Sequence, residues 1–209
     1  NKLNMFRRHI IQLGNSGVYV IYDELEGKEA VTWSYLLHTV ELPMEMKELP
    51  NEVQVTGKNK AGGVSVAHLF SSAKTEQAIA DTFFCAPTNW KNVTNAQGKA
   101  LKYPNHWHFS STTVPCKVAR FLTVMDTHGN NRPDMKVVRN GNTVQVGDWV
   151  INCNLTEKGK AAITVTNKSE KVSLNYDAGK KEGATIVTDQ IKGKQISKVL
   201  TDYLPDFEI

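Results

Sequence analysis

The chain reads as an all-β protein, an antiparallel β-sandwich of stacked sheets, supersandwich-like, with few or no long helices. Three observations predict this. Short runs rich in β-branched and aromatic residues recur along the chain, turn residues separate them, and no stretch keeps a helical apolar spacing for conventional helix length. Roughly ten to fourteen such strands joined by tight turns fit packed antiparallel layers.

The first strands lie in Phe6–Thr39. Ile10–Leu13 and Val18–Tyr22 flank Gly14-Asn15-Ser16-Gly17, whose residues tolerate positive φ, so a hairpin is expected there. Val18–Tyr22 is apolar throughout and is placed centrally in its sheet. Glu26-Gly27-Lys28-Glu29 reads as the next turn, with Val31–Leu37 as the third strand. Val40–Pro50, between prolines, is expected to be a connector or one helical turn. Glu52–Thr56 and Val64–Phe70 form a second hairpin with a glycine-rich tip. That tip lacks the GxxxxGK[ST] pattern and a following helix, which excludes a phosphate-binding loop.

Thr75–Phe84 is read as a short helix or an edge strand, and 86–98 as a loop. Strand character returns over Ala100–Thr127, strongest in Lys117–Met125. Asp126–Asp134 is read as a loop. Met135–Arg139, Thr143–Val146, Trp149–Asn154, Ala161–Asn167 and Lys171–Tyr176 then make a meander. In the tail, Ile196, Val199, Leu200 and Tyr203 fall at helical spacing, while Lys192-Gly193-Lys194 fits one last hairpin equally well. Residues 1–127 form one sandwich portion and 128–209 a C-terminal β-meander, or the two pack as one continuous unit.

The 209 residues carry a formal charge of +4, 40% hydrophobic and 22% charged residues, with a pI near 8.9. The lysines are scattered, which fits a solvated β surface; the bolder reading is attraction to an acidic polysaccharide. No basic run interleaves with aromatics, so nucleic acid is not an expected partner. No apolar stretch approaches a membrane span. Cys85, Cys116 and Cys153 are widely spaced and form neither a disulfide framework nor a zinc pattern, so no metal or other cofactor is assigned. Asn92-Val93-Thr94, Asn154-Leu155-Thr156 and Asn167-Lys168-Ser169 match a glycosylation triplet that is common by chance.

The chemistry-bearing residues are few. His106 and His108, at i and i+2 on a strand, share a face and can approach one metal, but two ligands do not make a site. The alternative is two half-buried histidines flanking a core Trp107. Trp107 with Tyr103 and the nearby histidines is a candidate sugar-stacking surface. Arg8, in Arg7-Arg8-His9, suits carboxylate recognition through its fork, or an ion pair with Asp23 or Glu24. Tyr103, His106, Trp107, His108 and Arg8 are therefore the candidate substrate-binding residues.

Arg8-His9-Ile10, Tyr19–Asp23 and Trp33–His38 match, in order, an R-h-h strand, a yhhhhD strand and a W.hH strand. With Asn105-His106-Trp107-His108 and Ala119–Val124, they make Phe6–Met125 resemble the β-sandwich part of heparinase II/III-like polysaccharide lyases. That resemblance implies a larger bacterial enzyme of the Bacteroidetes kind, periplasmic or secreted. An N-terminal α/α toroid of the same chain would precede the sandwiches. It also implies β-elimination at a uronic acid: carboxylate neutralisation, removal of the C5 proton by a Tyr or His, and an unsaturated product. The family's catalytic Tyr, its Asn or His partner, its catalytic His and its metal ligands have no counterpart here. No catalytic residue is carried over, and any divalent metal of the parent belongs outside this chain. The expectation is a non-catalytic C-terminal β portion, inactive alone, that supports the catalytic module and lines the substrate cleft. The alternatives are a free-standing carbohydrate-binding β-sandwich and a structural or adhesive β domain. The chain's opening at Asn1, without an initiator Met or signal peptide, is read as the start of a fragment.

Overall fold

The protein is described from a computed structural model covering residues 2–40, 42–81, 94–99, 106–179, 185–191 and 194–200. Its strands are antiparallel, and the described residues contain no helix. Two compact units are present, Asn1–Asp134 and Met135–Ile209.

In the first unit, β1 (Leu3–Gln12), β2 (Val18–Val31), β4 (Glu45–Leu49), β5 (Glu52–Lys58), β6 (Gly63–Ser71) and β9 (Cys116–Gly129) form one sheet, in the order β1-β2-β9-β6-β5-β4. β3 (Ser34–Val40), β7 (Thr75–Ala80) and β8 (His106–Thr113) form a smaller one, β3-β8-β7. The two share a core of Leu25, Trp33, Tyr35, Val55, Leu69, Phe109 and Phe121. Alternation explains the sorting: the odd residues of β2, β5 and β9 face that core.

The β1–β2 hairpin forms as expected, with Gly14 and Gly17 both at positive φ. Gly17 is doubly constrained, because a Cβ there would lie 2.5 Å from the Thr127 carbonyl oxygen. β2 lies between β1 and β9, and Val18, Val20 and Tyr22, on the face away from the shared core, are fully buried as well. The expected turn at Glu26–Glu29 is instead a register shift inside β2, which runs on to Val31. A Cβ on Gly27 would meet the Glu29 carbonyl oxygen at 2.6 Å, so glycine permits this irregularity. The chain then leaves the larger sheet for the smaller at Trp33. There Trp33 N–H donates to Thr113 Oγ1, Thr113 N–H to the Trp33 carbonyl, and Trp33 Nε1 to the Cys116 carbonyl.

The segment expected as a connector holds β4, an edge strand hairpinned to β5. Asn51, at φ 64°, supplies the turn. Of the two readings of Thr75–Phe84, the edge strand is the observed one over Thr75–Ala80.

The second unit is the expected meander, with every strand beside its sequence neighbour. It comprises β10 (Val137–Asn140), β11 (Thr143–Val146), β12 (Trp149–Cys153), β13 (Ala162–Asn167), β14 (Val172–Asp177), β15 (Thr185–Ile191) and β16 (Lys194–Leu200). Ile196, Val199 and Leu200 lie on β16, which pairs antiparallel with β15, so residues 194–200 form a strand and not a helix. Tyr203 lies outside the described residues. The 128–134 segment groups with the first unit, where Arg132 binds Asp126 and the Ser16 carbonyl.

Candidate functional site

β8 carries three of the sequence-selected residues and divides them. Trp107 packs with Phe109 against the shared core. His106 and His108, one position out of phase, occupy the opposite face. Trp107 and the two histidines therefore do not build one sugar-stacking surface. Tyr103 lies outside the described residues, as does Cys85.

The histidine face has a member that the spacing did not reveal. His38 of β3 pairs with His108 across the strands, their rings meeting edge to face at 4.6 Å between centroids and 83° between planes. His108 is buried, and burial pushes its pKa below the usual imidazole value, with His38 and His106 adding to the effect. The neutral form of the His108 imidazole is favoured. Among the described residues, no group of three or more His, Cys, Asp or Glu side chains is arranged to hold a metal ion.

Arg8 grips Asp23 with two hydrogen bonds, Nε to Oδ1 at 2.6 Å and a terminal nitrogen to Oδ2 at 2.8 Å. Its guanidinium also sits 5.3 Å from the centroid of the Tyr35 ring. The Asp23 contact raises the Arg8 pKa above its ordinary value. Burial raises that of the Tyr35 phenol. The fork expected to read a carboxylate thus has one inside the fold, and Arg7 bridges to Glu24 at 3.5 Å. Two further acceptors, buried Asp126 and half-buried Glu52, follow the same pattern. Asp126 binds Arg132 through both oxygens, and Glu52 contacts His68 Nδ1 at 2.6 Å. The amide of Asn154 donates to the Lys158 and Lys160 carbonyls, and Asn167 is buried.

Where the glycine-rich tip meets β3, the first unit opens a cleft of about 460 Å³. Gly57, Ser65 and Thr127 are successive cross-strand partners on β5, β6 and β9. Thr39 faces them from the smaller sheet, and Lys58 and Asn59 complete the polar lining. A Cβ on Gly57 would lie 2.6 Å from Thr39 Cγ2, so glycine lets the two sheets approach at this point. Asn59 stiffens the tip: its side-chain oxygen accepts the Gly63 N–H at 2.8 Å and its own N–H donates to the Gly63 carbonyl at 3.0 Å. Lys58 pairs with Glu45 at 3.1 Å with both side chains largely exposed, an interaction worth at most about 1 kcal/mol and readily exchanged. Sequence reading missed this cleft. Its one local signal is the glycine-rich tip, because the hydroxyls come from three distant strands.

No helix among the described residues is long and apolar enough to cross a membrane. No protein-family model and no curated protein matches this chain.

Proposed function

We propose that the chain is the non-catalytic C-terminal β portion of a bacterial, periplasmic or secreted polysaccharide lyase acting on uronic-acid glycans. Its first unit touches the glycan at the Thr39–Ser65–Thr127 cleft. The observation that carries this reading is the cleft's composition: hydroxyls and one ammonium carried on strands, with an amide at the hairpin tip. Ser65 and the Asn59 amide can match sugar hydroxyls, while Thr39 Oγ1 and Thr127 Oγ1, which donate to the Leu42 and Gly17 carbonyls, offer acceptor lone pairs. Lys58, released from a weak surface pair, supplies the charge for a uronate carboxylate. The resemblance of the β1, β2 and β3 strand motifs to those of heparinase II/III-like lyases supports the same substrate class.

Calorimetric titration of the chain with uronic-acid oligosaccharides tests the binding. Ser65→Phe, which fills the cleft, is expected to weaken binding at least tenfold with the circular dichroism unchanged. Absence of binding to any uronate oligomer overturns the glycan contact. Growth of unsaturated-uronate absorbance with the purified chain overturns the non-catalytic role.

A further inference from the structure

β1 is an edge of the six-stranded sheet, paired with β2 on one side and with no described strand on the other. Its register with β2 runs unbroken from Met5–Glu26 to Gln12–Tyr19, and Leu13 N–H bonds the Val18 carbonyl. The odd residues therefore direct their backbone groups at β2, and Phe6, Arg8, Ile10 and Gln12 direct theirs outward. Those outward groups have no partner among the described residues. Phe6 and Ile10, on the same edge, are 62% and 67% exposed. A long edge with bare backbone groups and apolar side chains is a template for strand addition.

The sequence of this edge indicates what adds. Met5-Phe6-Arg7-Arg8-His9-Ile10-Ile11 has the same chemical pattern in both directions about Arg8. We infer that β1 pairs with β1 of a second copy of this chain, antiparallel, around a two-fold axis at Arg8. Phe6 then lies opposite the partner's Ile10, Met5 opposite the partner's Ile11, and about six new backbone hydrogen bonds form. The basic residues meet at the centre, but each arginine has its own carboxylate, Asp23 for Arg8 and Glu24 for Arg7. The arrangement is isologous and closes at two copies. One strand pair is a small interface, so the dimer is weak and concentration-dependent.

Sedimentation equilibrium of the full chain over a roughly hundredfold concentration range tests this. The mass is expected to rise from one copy to two. Phe6→Lys and Ile10→Lys, both at exposed positions, should raise the dissociation constant at least tenfold with an unchanged circular dichroism spectrum. Leu36→Lys, at a 40% exposed position of the other sheet, should leave it unaltered. For the register, Phe6→Cys mixed with Ile10→Cys should form a disulfide faster than either variant alone. A one-copy mass throughout, assembly beyond two, insensitivity to Phe6→Lys, loss of dimer in Leu36→Lys, or fastest linkage within one cysteine variant would each overturn the inference.

Discussion

The two units differ in what they bury and in how far apart in sequence their strand partners lie. The first unit buries Asp23, Asp126, Arg120, His68 and His108 among its apolar residues. Its long strands pair across wide sequence separations, as β2 does with β9. The described residues of the second unit bury Val144, Ile151, Ile163, Val165 and Tyr176 with Asn167 as the polar exception, and each strand pairs with the next. Local pairing needs only competent turns. Distant pairing has to select one register among many, and paired charges help to do so. A one-residue slip of β1 would take Arg8 away from Asp23 and turn its side chain to the other face.

Apolar burial supports both units, so its loss sets the upper end of the expected effects. Phe109→Ala in the first unit and Ile163→Ala in the second remove fully buried side chains. Each is expected to cost about 3–4 kcal/mol in urea unfolding. A cost below about 1 kcal/mol at either site would show that its core is not packed as described. Arg8→Ala separates the units, because it strands the Asp23 carboxylate at 2% exposure. The expected loss is about 3 kcal/mol. Replacing both partners, Arg8→Leu with Asp23→Leu, should recover most of it, whereas no second change repairs Ile163→Ala so simply. If the double variant is no more stable than Arg8→Ala, the buried charge is not the cause.

The same division decides what could be read from the sequence. The meander's strands were legible to within two residues from Thr143 to Tyr176, because each is an apolar alternation closed by its own turn, such as Gly147-Asp148. The β1–β2 hairpin was legible through Gly14 and Gly17. Gly27 was misread as a turn because a glycine at a register shift and a glycine at a turn look alike locally; what decides is that β9 continues alongside to Cys116. The site was hardest to read. His106 and His108 were visible as a pair, but His38 joins them only because β3 pairs with β8. Arg8 was visible with its two outcomes, and Asp23 decided between them. Gly17 lies between the legible and the illegible. Its positive φ could be read from the turn, but its approach to Thr127 could not. Gly17→Ala combines a left-handed backbone with a clash against a carbonyl, and a loss of about 2 kcal/mol is expected in the same unfolding measurement. An unchanged midpoint would mean that the Gly17–Thr127 contact does not constrain the hairpin.

The smallest expected effect separates the units by pH. All six histidines lie in the first unit. His108 has its pKa lowered by burial, then by His38 and His106; its cross-strand neighbour on β7, Ala80, carries no charge. Above about pH 6.5, the unfolded-state value, His108 is neutral in both states and contributes no pH dependence. Below it the unfolded chain takes up a proton that the folded chain resists, so stability falls with falling pH. The decline ends once the pH passes beneath the lowered folded-state value, where both states are protonated. His108→Gln removes the titrating ring, and its stability should change less between pH 7 and pH 5 than that of the unaltered chain. Equal slopes in the two proteins would mean that burial does not keep the proton off His108.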